Sequence, residues 1–239
     1  MKKFILSAFV LASFLGSIRA DSGWLRDEKK KEPISEASLE VFDRNLGQIF
    51  PDVPRQHWAW PAVEKAQRRN LIQAVDSKGN FHGKSPVNRY QIVFAFSAIL
   101  KEWDRNHISG ISSEKPRFKV KDVDDPVIEK AIHRVMNAKI METFSKRFHG
   151  KKTMTRYQVA VTISRALKSL NRKISKNEEL RVLDVKKKHW ASKAVGDAVS
   201  TGALSLNEGK FHGNKIVNRF HLAIVLSKLW DYLAKTDRF

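Results

Sequence analysis

The chain has 239 residues, no cysteine, and 45 Lys and Arg against 25 Asp and Glu, a formal charge of +20. The missing thiols exclude disulfides, zinc–thiolate sites and a cysteine nucleophile together. A positive balance this strong points to an acidic partner: an anionic cell-wall glycan, phosphate-rich lipid headgroups or nucleic acid. A merely solubilising surface is the plain alternative.

Residues 1–20 read as a signal peptide, with Met1-Lys2-Lys3 as its basic start, an apolar stretch from Phe4 to Leu15, and a cleavage point after Ala20. The chain is therefore expected to be exported to the periplasm or cell envelope, with an uncleaved anchor as the alternative. Lys2, Lys3 and Arg19 are the charges such a cut removes, which leaves +17. Residues 21–49 follow as a polar leader and a short lead-in helix, because Leu39, Phe42, Leu46 and Ile49 share one helical face.

From residue 50 onward the chain repeats itself three times, over 50–103, 118–170 and 180–234. Each unit opens on an Asp-Val pair (Asp52-Val53, Asp122-Val123, Asp184-Val185). Each carries a Phe-His-Gly turn at Phe81, Phe148 or Phe211, and eight residues later an Arg: Arg89, Arg156 or Arg219. Self-similarity at a fixed period decides the architecture before local structure does. Three equivalent units also suit a binder of something repetitive better than an enzyme.

Within each unit the spacing predicts two helices joined by a loop. The first ends near Asn70, Lys139 or Gly202, and the second opens at the Asn/Thr-Arg pair. No run alternates with period two for long enough to argue a sheet, so the expected class is all-α. The second helices are apolar nearly all round, as over Ile92–Leu100 and Ala223–Leu226, and are expected to be buried. These runs are too short to span a membrane, so no transmembrane helix is expected in the mature chain. One unit alone has too little core to stand by itself, and the three are expected to form a single domain.

The repeated turn carries the chemistry. Thr155-Arg156-Tyr157-Gln158 has the form of a capping box, Asn88-Arg89-Tyr90-Gln91 repeats it, and Asn218-Arg219-Phe220-His221 keeps the cap alone. Arg89, Arg156 and Arg219 then stand at the positive end of the helix dipole, where a cation is mildly unfavourable. Free N–H groups at a helix start and a forked guanidinium together make a receptor for a carboxylate or phosphate. Pairing of each Arg with a repeat Asp is the alternative. Asp52, Asp122 and Asp184 are expected to cap the first helix or hold that Arg, with acceptance of hydrogen bonds from sugar hydroxyls as a further alternative. Trp58 and Trp190 offer platforms for a sugar ring or, equally, core residues. His82, His149 and His212 read as loop histidines; no metal, cofactor or catalytic set is expected.

At these residues the chain resembles S-layer homology domains. Phe50-Pro51-Asp52-Val53, His57-Trp58-Ala59, Phe81 and Asn88-Arg89-Tyr90-Gln91 fit a first unit. Phe118, Asp122-Val123, Phe148 and Thr155-Arg156-Tyr157 fit a second, and Asp184-Val185, His189-Trp190-Ala191, Gly202, Phe211 and Asn218-Arg219-Phe220 a third. The resemblance implies three helix–loop–helix repeats in a pseudo-threefold arrangement around a central three-helix bundle. It also implies non-covalent binding to an anionic cell-wall polysaccharide or peptidoglycan in grooves between repeats, with an outer-membrane or surface protein as the thing tethered. Arg89, Arg156, Arg219, Asp52, Asp184, Trp58 and Trp190 are its ligand-binding residues. Gly83, Gly150 and Gly213 stand where the family has a loop proline, and Gln91, Gln158 and His221 where it has a glutamate. The competing readings are a secreted, basic nucleic-acid or partner-binding protein and, behind it, a small wall hydrolase.

Overall fold

A computed structural model describes residues 50–236, apart from 108, 109, 112, 114, 117, 173 and 175–180. The signal peptide over 1–20 and the leader and lead-in helix over 21–49 lie outside the described residues. Six α-helices and no extended strand are found among those described: α1 Trp60–Arg68, α2 Arg89–His107, α3 Pro126–Asn137, α4 Arg156–Ser169, α5 Ser192–Ser200 and α6 Arg219–Thr236. The described part of the chain is all-α, as its periodicity predicts.

The first helices start in two ways. In α3, Asp125 is the N-cap and accepts from the Val127 and Ile128 amides at 2.7 and 3.2 Å, with Pro126 preset for the first turn. In α1 and α5 the cap positions are Ala59 and Ala191. There the imidazole Nδ1 of His57 or His189 accepts the alanine N–H, at 3.2 Å in both cases. All three helices stop at a left-handed residue, Asn70 (φ 55°), Lys139 (φ 57°) and Gly202 (φ 74°). In the first two units the next amide reaches back to close the final turn, Leu71 N to Ala66 O and Ile140 N to Val135 O, both at 2.9 Å.

The second helices begin at the Arg of each repeat. Thr155 and Gln158 form the reciprocal capping box. Asn88 and Gln91 do the same, with bonds of 3.0 and 3.1 Å. In α6 Asn218 caps the His221 amide at 2.9 Å.

Packing interlocks the units. Each first helix lies against the second helix of the preceding unit: α3 on α2, α5 on α4, and α1 back on α6. Just before the second helices, Val87 N donates to Val217 O, Val217 N to Met154 O, and Met154 N to Val87 O, at 2.8, 3.0 and 2.9 Å. These bonds close a ring linking the three segments that lead into α2, α4 and α6, and its members are buried. Phe81, Phe148 and Phe211 are fully buried within one continuous apolar core. Ser97, the polar interruption in α2, is buried too and receives a hydrogen bond from Arg134 of α3. The core is thus shared between units, which is why no unit's own apolar residues suffice.

Candidate functional site at the seams between units

The repeat Asp is a loop anchor. Asp52 accepts from the amides of Phe81 and His82, both at 2.6 Å. Asp122 does so from Phe148 and His149, both at 2.7 Å, and Asp184 from Phe211 and His212 at 2.6 and 2.7 Å. The three histidines sit at φ of 52–53°, and the successive amides make an anion-holding concavity that the carboxylate fills. Burial raises the carboxyl pKa of Asp122 and Asp184, but the loop amides outweigh it and hold both below the ordinary carboxylate range. The expectation that these residues cap the first helix or grip the Arg is therefore corrected. The amides pull each carboxylate to a loop 26 to 30 residues further on.

The Arg residues bind protein backbone. Arg89 Nε donates to Phe148 O at 2.9 Å and Nη2 to Glu142 O at 2.8 Å. Arg156 reaches Phe211 O at 2.8 Å and Ser205 O at 2.7 Å; Arg219 reaches Phe81 O at 2.6 Å and Gln73 O at 2.5 Å. Each guanidinium lies over the ring of that same Phe, at 4.4, 4.7 and 4.4 Å. Every Arg thus clamps the loop of the next unit, and the last returns to the first. Burial lowers the pKa of all three, that of Arg219 to about 10, so each stays cationic at neutral pH. These carbonyls compensate for a cation at a helix start.

The helix N-termini are occupied as well, which corrects the expectation of free N–H groups there. The first amides of α2 donate to Lys152 O and Gly150 O, those of α4 to Lys215 O and Gly213 O, and those of α6 to Ser85 O and Gly83 O, at 2.9–3.1 Å. The third amide in each goes to the cap side chain. No anion is needed to satisfy them.

The loop glycines have a steric cause invisible in the sequence. A Cβ on Gly83 would lie 2.2 Å from the Phe220 ring, on Gly150 1.9 Å from Tyr90, and on Gly213 2.1 Å from Tyr157. The aromatic that follows each Arg presses flat on the next unit's loop.

Two seams carry an exposed aromatic wall. Trp58 is 63% exposed and Trp190 68%, so the core alternative fails for both; Trp60, two residues later, takes the buried place. Trp58 stands 5.8 Å from Phe220 and 6.2 Å from His221, and Trp190 stands 5.8 Å from Tyr157. His57 stacks on Phe220 at 4.3 Å, and His189 lies 4.6 Å from Tyr157. The seam between the first and second units differs, because Asp124-Asp125-Pro126 begins that unit's helix without a Trp. Tyr90, Asp122, His149, Gly150, Lys151 and Lys152 there line a cavity of about 450 Å³. Among the described residues no cluster of His, Asp and Glu is arranged to hold a metal ion; His82 Nε2 instead lies 2.6 Å from Asp76.

The comparisons agree with this geometry. A family model for the S-layer homology domain matches residues 49–92 and 183–223, the Asp-Val, loop and second-helix start of the first and third units. Outer membrane protein alpha of Thermotoga maritima is 31% identical over 85 residues, which is 36% of this chain and 21% of that protein. The chain thus matches about a fifth of that relative's length. Among the described residues no helix is long and apolar enough to cross a membrane. S-layer homology domains are envelope-anchoring modules, and two regions of this chain, 49–92 and 183–223, are similar to that domain.

Proposed function

We propose that this is an exported, non-enzymatic cell-envelope protein that holds non-covalently to an anionic, peptidoglycan-associated polymer along the seams between its units. The observation that carries the reading is the pair of exposed indoles, Trp58 and Trp190, each set beside an aromatic ring of the neighbouring unit. Large apolar surface left exposed at a repeated position is costly without a partner, and flat indole faces suit the apolar faces of sugar rings. The positive charge of the chain supplies attraction for an acidic glycan. In this reading Trp58 and Trp190 touch the ligand. Arg89, Arg156, Arg219, Asp52 and Asp184 fix the loops that shape the grooves.

We further infer that residues 118–170 are a third, diverged unit, since Asp122, Arg89 and Arg156 make the same bonds there as their counterparts elsewhere. The units then surround a central bundle of α2, α4 and α6. An outer-membrane or surface protein is the candidate for what is tethered, in line with the relative's name. The test is co-sedimentation of the protein with purified peptidoglycan sacculi, with and without their attached acidic polymer, at high salt to suppress adhesion by charge alone. Trp58→Ala with Trp190→Ala should reduce retention on intact sacculi at least several-fold without lowering the melting temperature. Equal retention on intact and stripped sacculi, or full retention of the double variant, refutes the reading.

A further inference from the structure

The loops that close the ring at Val87, Met154 and Val217 leave an exposed rim on the same face. Residues 82–88, 149–155 and 212–218 contain no Asp or Glu, and Lys84, Lys151, Lys152 and Lys215 are all exposed. Isolated bridges bring these stretches side by side: Pro86 with Asn218, Asn88 with Thr153, and Thr155 with Ile216. The backbone beneath is fixed, because Lys152 O and Lys215 O accept from the Arg89 and Arg156 amides at 3.1 and 2.9 Å. Of the carboxylates that touch the loops, Asp52, Asp122 and Asp184 each already accept two amides, and Asp76 is engaged by His82 and by the Lys78 and Asn80 amides. Four exposed ammonium groups therefore stand on adjoining loops whose nearby carboxylates are already engaged.

Each lysine also borders a seam. Lys84 follows Gly83, which lies under the Phe220 ring beside Trp58. Lys151 and Lys152 line the cavity at Tyr90. Lys215 lies two residues past Gly213, on which Tyr157 rests.

We propose that Lys84, Lys151, Lys152 and Lys215 form a cationic crown that binds the acidic groups of the wall glycan, while the aromatic seams take its sugar faces. The proposal rests on the wall-binding reading and names the anion contacts within it. Arg89, Arg156 and Arg219 already spend two donor edges each on backbone carbonyls. The crown ammonium groups face solvent on mobile stems, and they suit carboxylates or phosphates spaced irregularly along a polymer.

The experiment removes all four lysines together (Lys84→Ala, Lys151→Ala, Lys152→Ala, Lys215→Ala). It compares that variant with one lacking four exposed lysines further along the second helices (Lys101→Ala, Lys168→Ala, Lys228→Ala, Lys235→Ala). Both lose the same charge, and the second set starts about 14 Å or more along its helices from the crown. The probe is purified sacculi with their polymer attached, at about 0.05 M and about 0.15 M salt. The crown variant should bind roughly tenfold more weakly at the higher salt and lose most of its difference between intact and stripped sacculi. The control should bind as the parent does. Equal weakening of both variants overturns the crown in favour of diffuse charge, and an undiminished crown variant overturns it outright. A crown variant that keeps sacculus binding but loses binding to phosphatidylglycerol vesicles assigns the lysines to lipid instead. If the parent protein fails to bind sacculi at all, the wall reading falls and takes the crown with it.

Discussion

Arg219→Ala tests whether the repeated Arg belongs to the fold or to the ligand. Arg219 is buried and donates to Phe81 O and Gln73 O while lying 4.4 Å from the Phe81 ring centre. Two hydrogen bonds from a charged donor are worth roughly 1.5–3 kcal/mol each, and the ring contact adds about 1 kcal/mol. Against this stands the cost of burying the cation. A pKa brought from 12.5 to about 10 corresponds to roughly 3 kcal/mol. Truncation also strands two partly buried carbonyls, so the net loss should be about 3 kcal/mol. For a domain of this size that is a fall in melting temperature of roughly 6–12 °C, read by circular dichroism. Arg219→Lys should recover only part of it, since an ammonium cannot fork between two carbonyls. Arg89→Ala and Arg156→Ala should cost less, because those side chains are more exposed. A melting temperature within about 2 °C of the parent, with wall binding lost, would refute the clamp and return the Arg to the ligand.

Two further outcomes follow from the loop geometry. Gly150→Ala places a Cβ 1.9 Å from the Tyr90 ring, so it should cost about 2 kcal/mol or more by overpacking; combining it with Tyr90→Ala should give a clearly non-additive total in chemical denaturation, and simple additivity would show that the ring moves freely aside. Asp122 and Asp184 have folded pKa values below the ordinary carboxylate range, against burial. Their stabilisation is therefore complete above the unfolded value of about 3.9 and is lost as pH falls through the folded values. Melting temperature should hold from neutral pH to about pH 5 and drop below about pH 4, and Asp184→Asn should flatten that drop; an equal drop in the variant would assign the acid lability to other carboxylates.

What could be read from the sequence was whatever a few neighbouring residues settle among themselves. Thr155 and Gln158 satisfy each other across one turn, so spacing alone announces them. Asn70, Lys139 and Gly202 stop their helices because the chain turns left-handed there, and the break in apolar pattern marks that turn. The repeat period displayed the equivalence of the units. The backbone partners of Asp52 and Arg219 were hidden for a single reason. They are amides and carbonyls 29 to 146 residues away, and a backbone group leaves no trace in the identity of a residue. Trp58 and Trp60 show the same limit at short range, since both suit a helix start and only the packing of α1 against α6 decides which one is buried.

The loop glycines complete the argument. Taken one unit at a time, Gly83, Gly150 and Gly213 look like relaxations of a proline position. Taken across units, each is the floor on which the preceding unit's aromatic rests. The aromatic therefore cannot be understood without the glycine of the next repeat, nor the Arg without the next repeat's Phe carbonyl. A repeat protein of this kind stores its specificity at the joins, where residues of adjacent copies are matched in pairs. At two of the joins, those of Trp58 and Trp190, the proposed ligand would meet an exposed indole, a loop held by an Asp and a rim lysine together.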